Sequence, residues 1–149
     1  MKKSSPIKFA LTNVKTEQFA LLEENYSPKK KINLGTGLQF KIDTEKHAIG
    51  SFVGATFEQG KKSFLKIEIS CHFKIEDESW KNLINEKAAL IKLPKDFLTH
   101  IAMLAFGTLR GVLFAKTEGT NFNKFILPGM DVRSMIEKDE TFSLKDDNE

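Results

Sequence analysis

Residues 63–75, SFLKIEISCHFKI, decide the fold. Leu65, Ile67, Ile69, Cys71, Phe73 and Ile75 share one parity, while Phe64, Lys66, Glu68, Ser70, His72 and Lys74 share the other. Successive side chains of a strand point to opposite faces, so this is a half-buried antiparallel strand with one apolar face. Ahead of it, Glu58-Gln59-Gly60-Lys61 supplies a glycine turn and makes residues 47–57 its hairpin partner. Leu38, Phe40 and Ile42 alternate in the same way and stop at Asp43-Thr44-Glu45. A first strand is expected over residues 7–22. There Ile7, Phe9 and Leu11 share a parity that Val14 breaks, as a bulge or bend would. The connection from Glu23 to Gly37 is too long for a plain hairpin, so it crosses another element or has a role of its own.

After Pro94 the apolar period changes from two to that of a helix. Proline suits the first turn, where its missing N–H would be unpaired anyway, and Asp96 suits the positive end of the dipole. Phe97, Ile101, Leu104, Thr108, Val112 and Ala115 form a central stripe. Leu98, Ala102, Ala105, Phe106, Leu109 and Leu113 widen it to about 200° of arc. A helix covering one sheet needs a stripe only somewhat wider than 100°. The surplus predicts contact with another copy of the chain, and Gly107 and Gly111 on its flank would let a second backbone, or the helix's own sheet, come close. A loop carrying Phe122 and Phe125 among polar neighbours follows, then a short helix over 130–136. Residues 137–149 hold six acids against two lysines and are expected to form a disordered tail after a single domain spanning residues 1–136.

At 149 residues one domain can bury about 70% of its unfolded surface and needs no disulfide or metal to hold a core. Thirteen Phe against one Trp and one Tyr favour cores and greasy contact surfaces over hydrogen-bonded recognition, which argues against nucleic-acid binding. A net charge of +3 does not demand a polyanionic partner. The longest apolar run, residues 101–106, is far short of the roughly 20 residues of a membrane span, so no membrane insertion is expected. Lys8, Asn13 and Lys15 interrupt anything resembling a signal peptide behind Lys2 and Lys3, so a cytoplasmic chain is the expectation.

Chemical candidates are few. His47, His72 and His100 show no metal-ligand spacing, and no nucleophile elbow, phosphate loop or dinucleotide glycine pattern occurs. Cys71 lies on an apolar strand face, the setting of an inert thiol, and excludes an internal disulfide by being alone. Lys29-Lys30-Lys31 could meet an acidic partner or phosphate but is read first as a solvated loop tip, and Arg110 either pairs across an interface or reaches solvent along its stem. The expectation is a protein without catalysis, cofactor or metal.

Four antiparallel strands, a proline-initiated long helix, a loop and a short helix resemble the SecB family of protein-export chaperones. The likeness is carried by LPKDFLTHIAMLAFGTLRG over residues 93–111 and by FILPGMDVRSMI over residues 125–136, with Leu127-Pro128 and Asp131 ahead of the last helix. The resemblance implies an α+β fold: a four-stranded antiparallel sheet with a long helix in the C-terminal half and a short final helix on one face. It further implies a cofactor-free homotetramer, a dimer of dimers, that holds unfolded or nascent polypeptides in hydrophobic grooves. By position, the client-binding residues would be Tyr26, Ile32 and Leu34 in the crossover, Phe122, Phe125 and Leu127 after the long helix, and Met135 and Ile136 in the last helix. The oligomer interface would hold Phe106, Gly107, Arg110, Gly111, Leu113 and Phe114. Export members dock a translocase motor on an acidic sheet face. Lys66, Glu68, His72 and Lys74 do not make such a face, so motor docking is doubtful. An antitoxin client, as in SecB-like proteins of toxin–antitoxin systems, would not need it. The alternative is a hotdog-like acyl-binding protein or thioesterase, with His100 and the Gly107–Gly111 flank bordering an acyl pocket.

Overall fold

A computed structural model of the chain describes residues 6–144. Strands β1 (Phe9–Leu21), β2 (Asn33–Asp43), β3 (Ala48–Gln59) and β4 (Lys62–Ile75) form one antiparallel sheet in the order β1-β4-β3-β2. The predicted hairpin is present: β3 turns at Gly60, whose φ of 61° is the left-handed conformation glycine adopts without a Cβ clash, and β4 returns beside it. The crossover from β1 to β2 passes through a single 3-10 turn, Glu23–Asn25, and carries the chain across β4 and β3 to the far edge.

Leu65, Ile67, Ile69, Cys71, Phe73 and Ile75 are all buried on the face that the alternation assigned to them. Phe64 departs from its parity and is fully buried. The register between β3 and β4 slips between Phe57 and Glu58, so Ser63 pairs with Glu58 while Leu65 pairs with Phe57. Phe64 is the extra residue of that bulge, and an extra residue breaks strict alternation. In β1 two register breaks, between Leu11 and Asn13 and between Thr16 and Gln18, flank Val14 where one irregularity was expected.

Helix α2 (Lys95–Thr117) begins one residue after Pro94 and lies on the apolar face over β3 and β4. Leu98, Ile101, Ala102, Ala105, Leu109 and Leu113 are completely covered there. By length and composition α2 could cross a bilayer, but half of its most apolar stretch is buried against the chain's own sheet, as in a core helix.

Between the sheet and α2 come helix α1 (Asp77–Leu83) and strands β5 (Ile84–Asn85) and β6 (Leu90–Leu93), which the apolar periodicity did not announce. Trp80 of α1 and Ile91 and Leu93 of β6 join the core. After the short helix α3 (Val132–Met135), the segment expected to be a disordered tail instead forms β7 (Glu140–Ser143), which pairs antiparallel with β6. The remaining tail residues, 145–149, lie outside the described residues.

Candidate functional site

The site candidates divide into three places, beginning with an aromatic cluster. Tyr26 from the crossover packs on Phe64, Phe122 and Phe125 with ring centroids 5.0, 5.3 and 5.6 Å apart. Phe57 of β3 closes the cluster against Phe125 at 5.8 Å. Phe122 and Leu127, expected to line an open groove, are buried inside the chain, and so is Ile136. The polar neighbours of Phe122 explain how a loop can be buried here. Asn123 Nδ2 donates to the Phe114 carbonyl at 3.0 Å and to Thr117 Oγ1 at 3.2 Å, and Thr120 Oγ1 donates to the Thr117 carbonyl at 2.8 Å. These groups satisfy the orphan carbonyls that end α2 and so fold the loop back on the sheet.

Arg110, read as an interface or solvent-reaching residue, fastens the same loop. Its Nε donates to the Leu127 carbonyl at 2.7 Å and its Nη2 to the Pro128 carbonyl at 3.0 Å. The crossover is fastened by a residue that sequence patterning gave no reason to single out. Gln59, buried at the end of β3, accepts from the Ser27 amide at 2.9 Å and donates to the carbonyls of Ser27 and Lys30 at 2.7 and 3.1 Å.

The second place is a trough along β2. Because α2 packs over β3 and β4, the helix-side residues Leu34, Leu38 and Ile42 of β2 remain half-buried, against the core but open on one side. Leu34 pairs with Phe57 and so starts the trough beside the aromatic cluster. Further along, Leu38 and Phe40 share a cavity of about 290 Å³ with Met135, Ile136 and Glu140. Of the candidate client residues, Ile32, Leu34, Phe125 and Met135 keep a half-exposed apolar face here, and Tyr26 borders it. At about 3.4 Å per residue, the run from Leu34 to Ile42 is long enough for an extended segment of roughly eight residues.

The outward face of α2 is the third place. Met103 is 54% exposed, Leu104 42% and Phe114 46%, and a Cβ added at Gly107 or Gly111 would meet nothing within 4 Å. With His100 these residues fall within about 100° of the helix surface. Between Asp96 and Lys116 the only other ionisable side chain of α2 is Arg110, which is bound to the loop. Leu11 and Val14 on the edge strand β1 are likewise exposed, at 49% and 40%. Phe106 and Leu113, expected at an interface, point into the chain's own core instead, because they lie on the sheet-facing side of the helix. Gly107, Gly111 and Phe114 are the members of that set left facing outward.

The opposite face of the sheet is polar and mixed in charge. A hollow of about 680 Å³ is lined by Lys15, Lys41, Lys46 and Lys74 together with Asp43, Glu45 and Asp77. Its floor includes His72, whose Nε2 lies 2.8 Å from Ser70 Oγ, while that hydroxyl donates to Glu17 at 2.6 Å. Burial, then the nearby Lys15, hold His72 below the usual histidine pKa, against the opposing pull of Glu17. Cys71 has its thiol pKa raised by burial, partly offset by its hydrogen bond with Thr108. His100 is exposed and touches the Phe9 ring at 5.8 Å. Among the described residues no group of three or more His, Cys, Asp or Glu side chains could hold a metal ion.

No protein-family model matches the chain, and no curated protein matches it either. Solved structures do. A protein of unknown function from Streptococcus agalactiae is 16% identical with a TM-score of 0.41, covering 85% of this chain and 99% of that one. The Mycobacterium tuberculosis SecB-like chaperone Rv1957, solved in complex with a ChAD peptide from the Rv1956 HigA1 antitoxin, is 10% identical with a TM-score of 0.52. That match covers 82% of this chain and 90% of that chain. The four-stranded antiparallel sheet with its helices is therefore the fold of a SecB-like chaperone.

Proposed function

We propose that this chain is a SecB-like holdase, which takes extended apolar segments of non-native polypeptide into the trough along β2 and needs no catalysis or cofactor to do so. The observation that carries the reading is the half-open row Leu34, Leu38 and Ile42 running from the aromatic cluster to the Met135 cavity. It supplies apolar area without a row of side-chain hydrogen-bonding groups, so it can accept many sequences. The fold supports the same reading, since the Mycobacterium tuberculosis chaperone of this fold was solved holding a peptide.

Magnitudes bear on the assembly. Burying roughly 300 Å² of client apolar surface at about 25 cal/mol per Å² is worth about 7–8 kcal/mol. Ordering an eight-residue segment costs roughly 1 kcal/mol or more per residue, which cancels that gain. One trough holds a client weakly, whereas several on one oligomer hold it well. The outward stripe of α2 and the exposed Leu11 and Val14 of β1 are the surfaces on which a second copy would pack, within a homotetramer. An aggregation-prone antitoxin is a fitting client class. The mixed lysine-bearing outer sheet face does not favour a translocase motor that seeks acidic residues.

The test is suppression of aggregation of a chemically unfolded protein on dilution from denaturant. Protection at about one oligomer per unfolded chain is expected. Absence of protection, together with no binding to a permanently unfolded carboxymethylated protein, would overturn the reading.

A further inference from the structure

The last strand of this chain has the form of a bound ligand. It is extended from Glu140 to Ser143, and of these residues only Phe142 is even half-buried. It lies along the edge of β6 in antiparallel register, Leu93 opposite Glu140 and Leu90 opposite Ser143, and the Leu144 amide donates to the Ala89 carbonyl at 2.9 Å. Phe142 sits opposite Ile91 and packs on the core. At the other end the Asp139 carboxylate accepts from the Lys95 amide at 2.7 Å, which caps the N-terminus of α2, and it lies 3.6 Å from Lys92 Nζ. Backbone pairing, one apolar pocket and one carboxylate at a helix N-terminus are how strand addition captures a peptide.

We propose that the β6 edge and the N-terminus of α2 form a strand-addition site for extended polypeptide, which the chain's own C-terminal strand occupies in competition with clients. The inference rests on the client-binding reading and names a second contact for the same clients. Glu140 links the two surfaces, because it lines the cavity at the Met135 end of the β2 trough. The site selects by chemistry: a carboxylate where Asp139 stands, an aromatic three residues later and an apolar residue two beyond that. β7 is held by few side chains, since an exposed ion pair contributes under about 1 kcal/mol and only Phe142 and, just beyond the strand, Leu144 pack on the core.

Two variants test the proposal. One ends the chain before Asp139. The other joins Lys92→Cys to Thr141→Cys, the pair opposite each other in the ladder, so that oxidation locks β7 in place. The probe is a fluorescein-labelled peptide with the sequence of residues 137–144, EKDETFSL, measured by anisotropy. It is expected to bind the shortened chain, and to bind neither the full-length chain nor the oxidised double-cysteine variant. A second probe, carboxymethylated unfolded protein, is expected to bind the shortened chain about tenfold more tightly than the locked one, equivalent to about 1.4 kcal/mol. Reduction of the lock should restore intermediate binding. If the shortened chain unfolds, the reversible lock still decides between the outcomes. Equal client affinity in the oxidised and reduced double-cysteine variant overturns the strand-addition site and leaves the holdase reading intact. Loss of client binding by every form, with the peptide still captured, overturns the holdase reading alone.

Discussion

Phe122 stands between Asn121 and Asn123, and its neighbours look like solvent-facing loop until their hydrogen bonds are traced to the end of α2. Once those polar groups cap the helix, the ring can be buried against Tyr26 and Phe64. Phe122→Ala is therefore expected to cost about 3–5 kcal/mol of stability, read from urea denaturation, rather than to act on client binding alone. A change of under about 1 kcal/mol would return this ring to an open groove. His72 makes a different kind of prediction. Its pKa is lowered in the folded chain, chiefly by burial, so folding favours the neutral ring. The stability this contributes is present above the unfolded value of about 6.5 and is lost as pH falls from there through the folded value. The denaturation midpoint should fall over that window, and His72→Gln should reduce the fall. Equal slopes in both proteins would show that the ring is not responsible. Around it stand Lys15, Glu17, Lys46 and Ser70, so the comparison is best made at fixed ionic strength.

At the scale of the elements, α2 presents one face to β3 and β4 and leaves Met103, Leu104 and Phe114 exposed on the other. Replacing its outward glycines separates folding from assembly. With nothing within 4 Å of a Cβ at either position, Gly107→Ala and Gly111→Ala should each stabilise the isolated chain by up to about 1 kcal/mol through helix propensity. If a second copy packs its backbone there, the same methyl groups push it away. The expected result is a higher unfolding midpoint at low concentration with a smaller particle by light scattering. An unchanged particle size would place the interface elsewhere. The β2 trough is testable in the same way. Leu38→Ser, at a half-buried position, should cost about 1–2 kcal/mol of stability and weaken client binding, read as a higher ratio of chaperone to client for half-protection. Unaltered protection with a folded variant would remove the trough from the client path.

For the molecule as a whole, apolar patterning determined the large elements and which faces they bury. The 63–75 alternation, its glycine turn and the helical period after Pro94 all appear in the structure, because a strand or helix with one apolar side has few places to put it. The apolar arc read on α2 is mostly what the chain buries for itself, from Leu98 round to Leu113, and of the outward row of Met103, Leu104 and Phe114 only Leu104 belonged to it. The short elements were not legible. α1, β5 and β6 are too brief for a period to show, and β7 is an acidic segment that becomes a strand only because β6 offers it an edge. Individual site residues divided on the same principle. Phe64 changed sides because of a bulge, and Arg110 turned inward because carbonyls 17 and 18 residues away came within its reach. Sequence by itself determined what must be buried and in which class of element. Only the tertiary structure decided which apolar residues the chain buries for itself and which it leaves open. That depends on where α2 lies across the sheet and on which distant backbone groups need partners, and neither is written in any local run of residues.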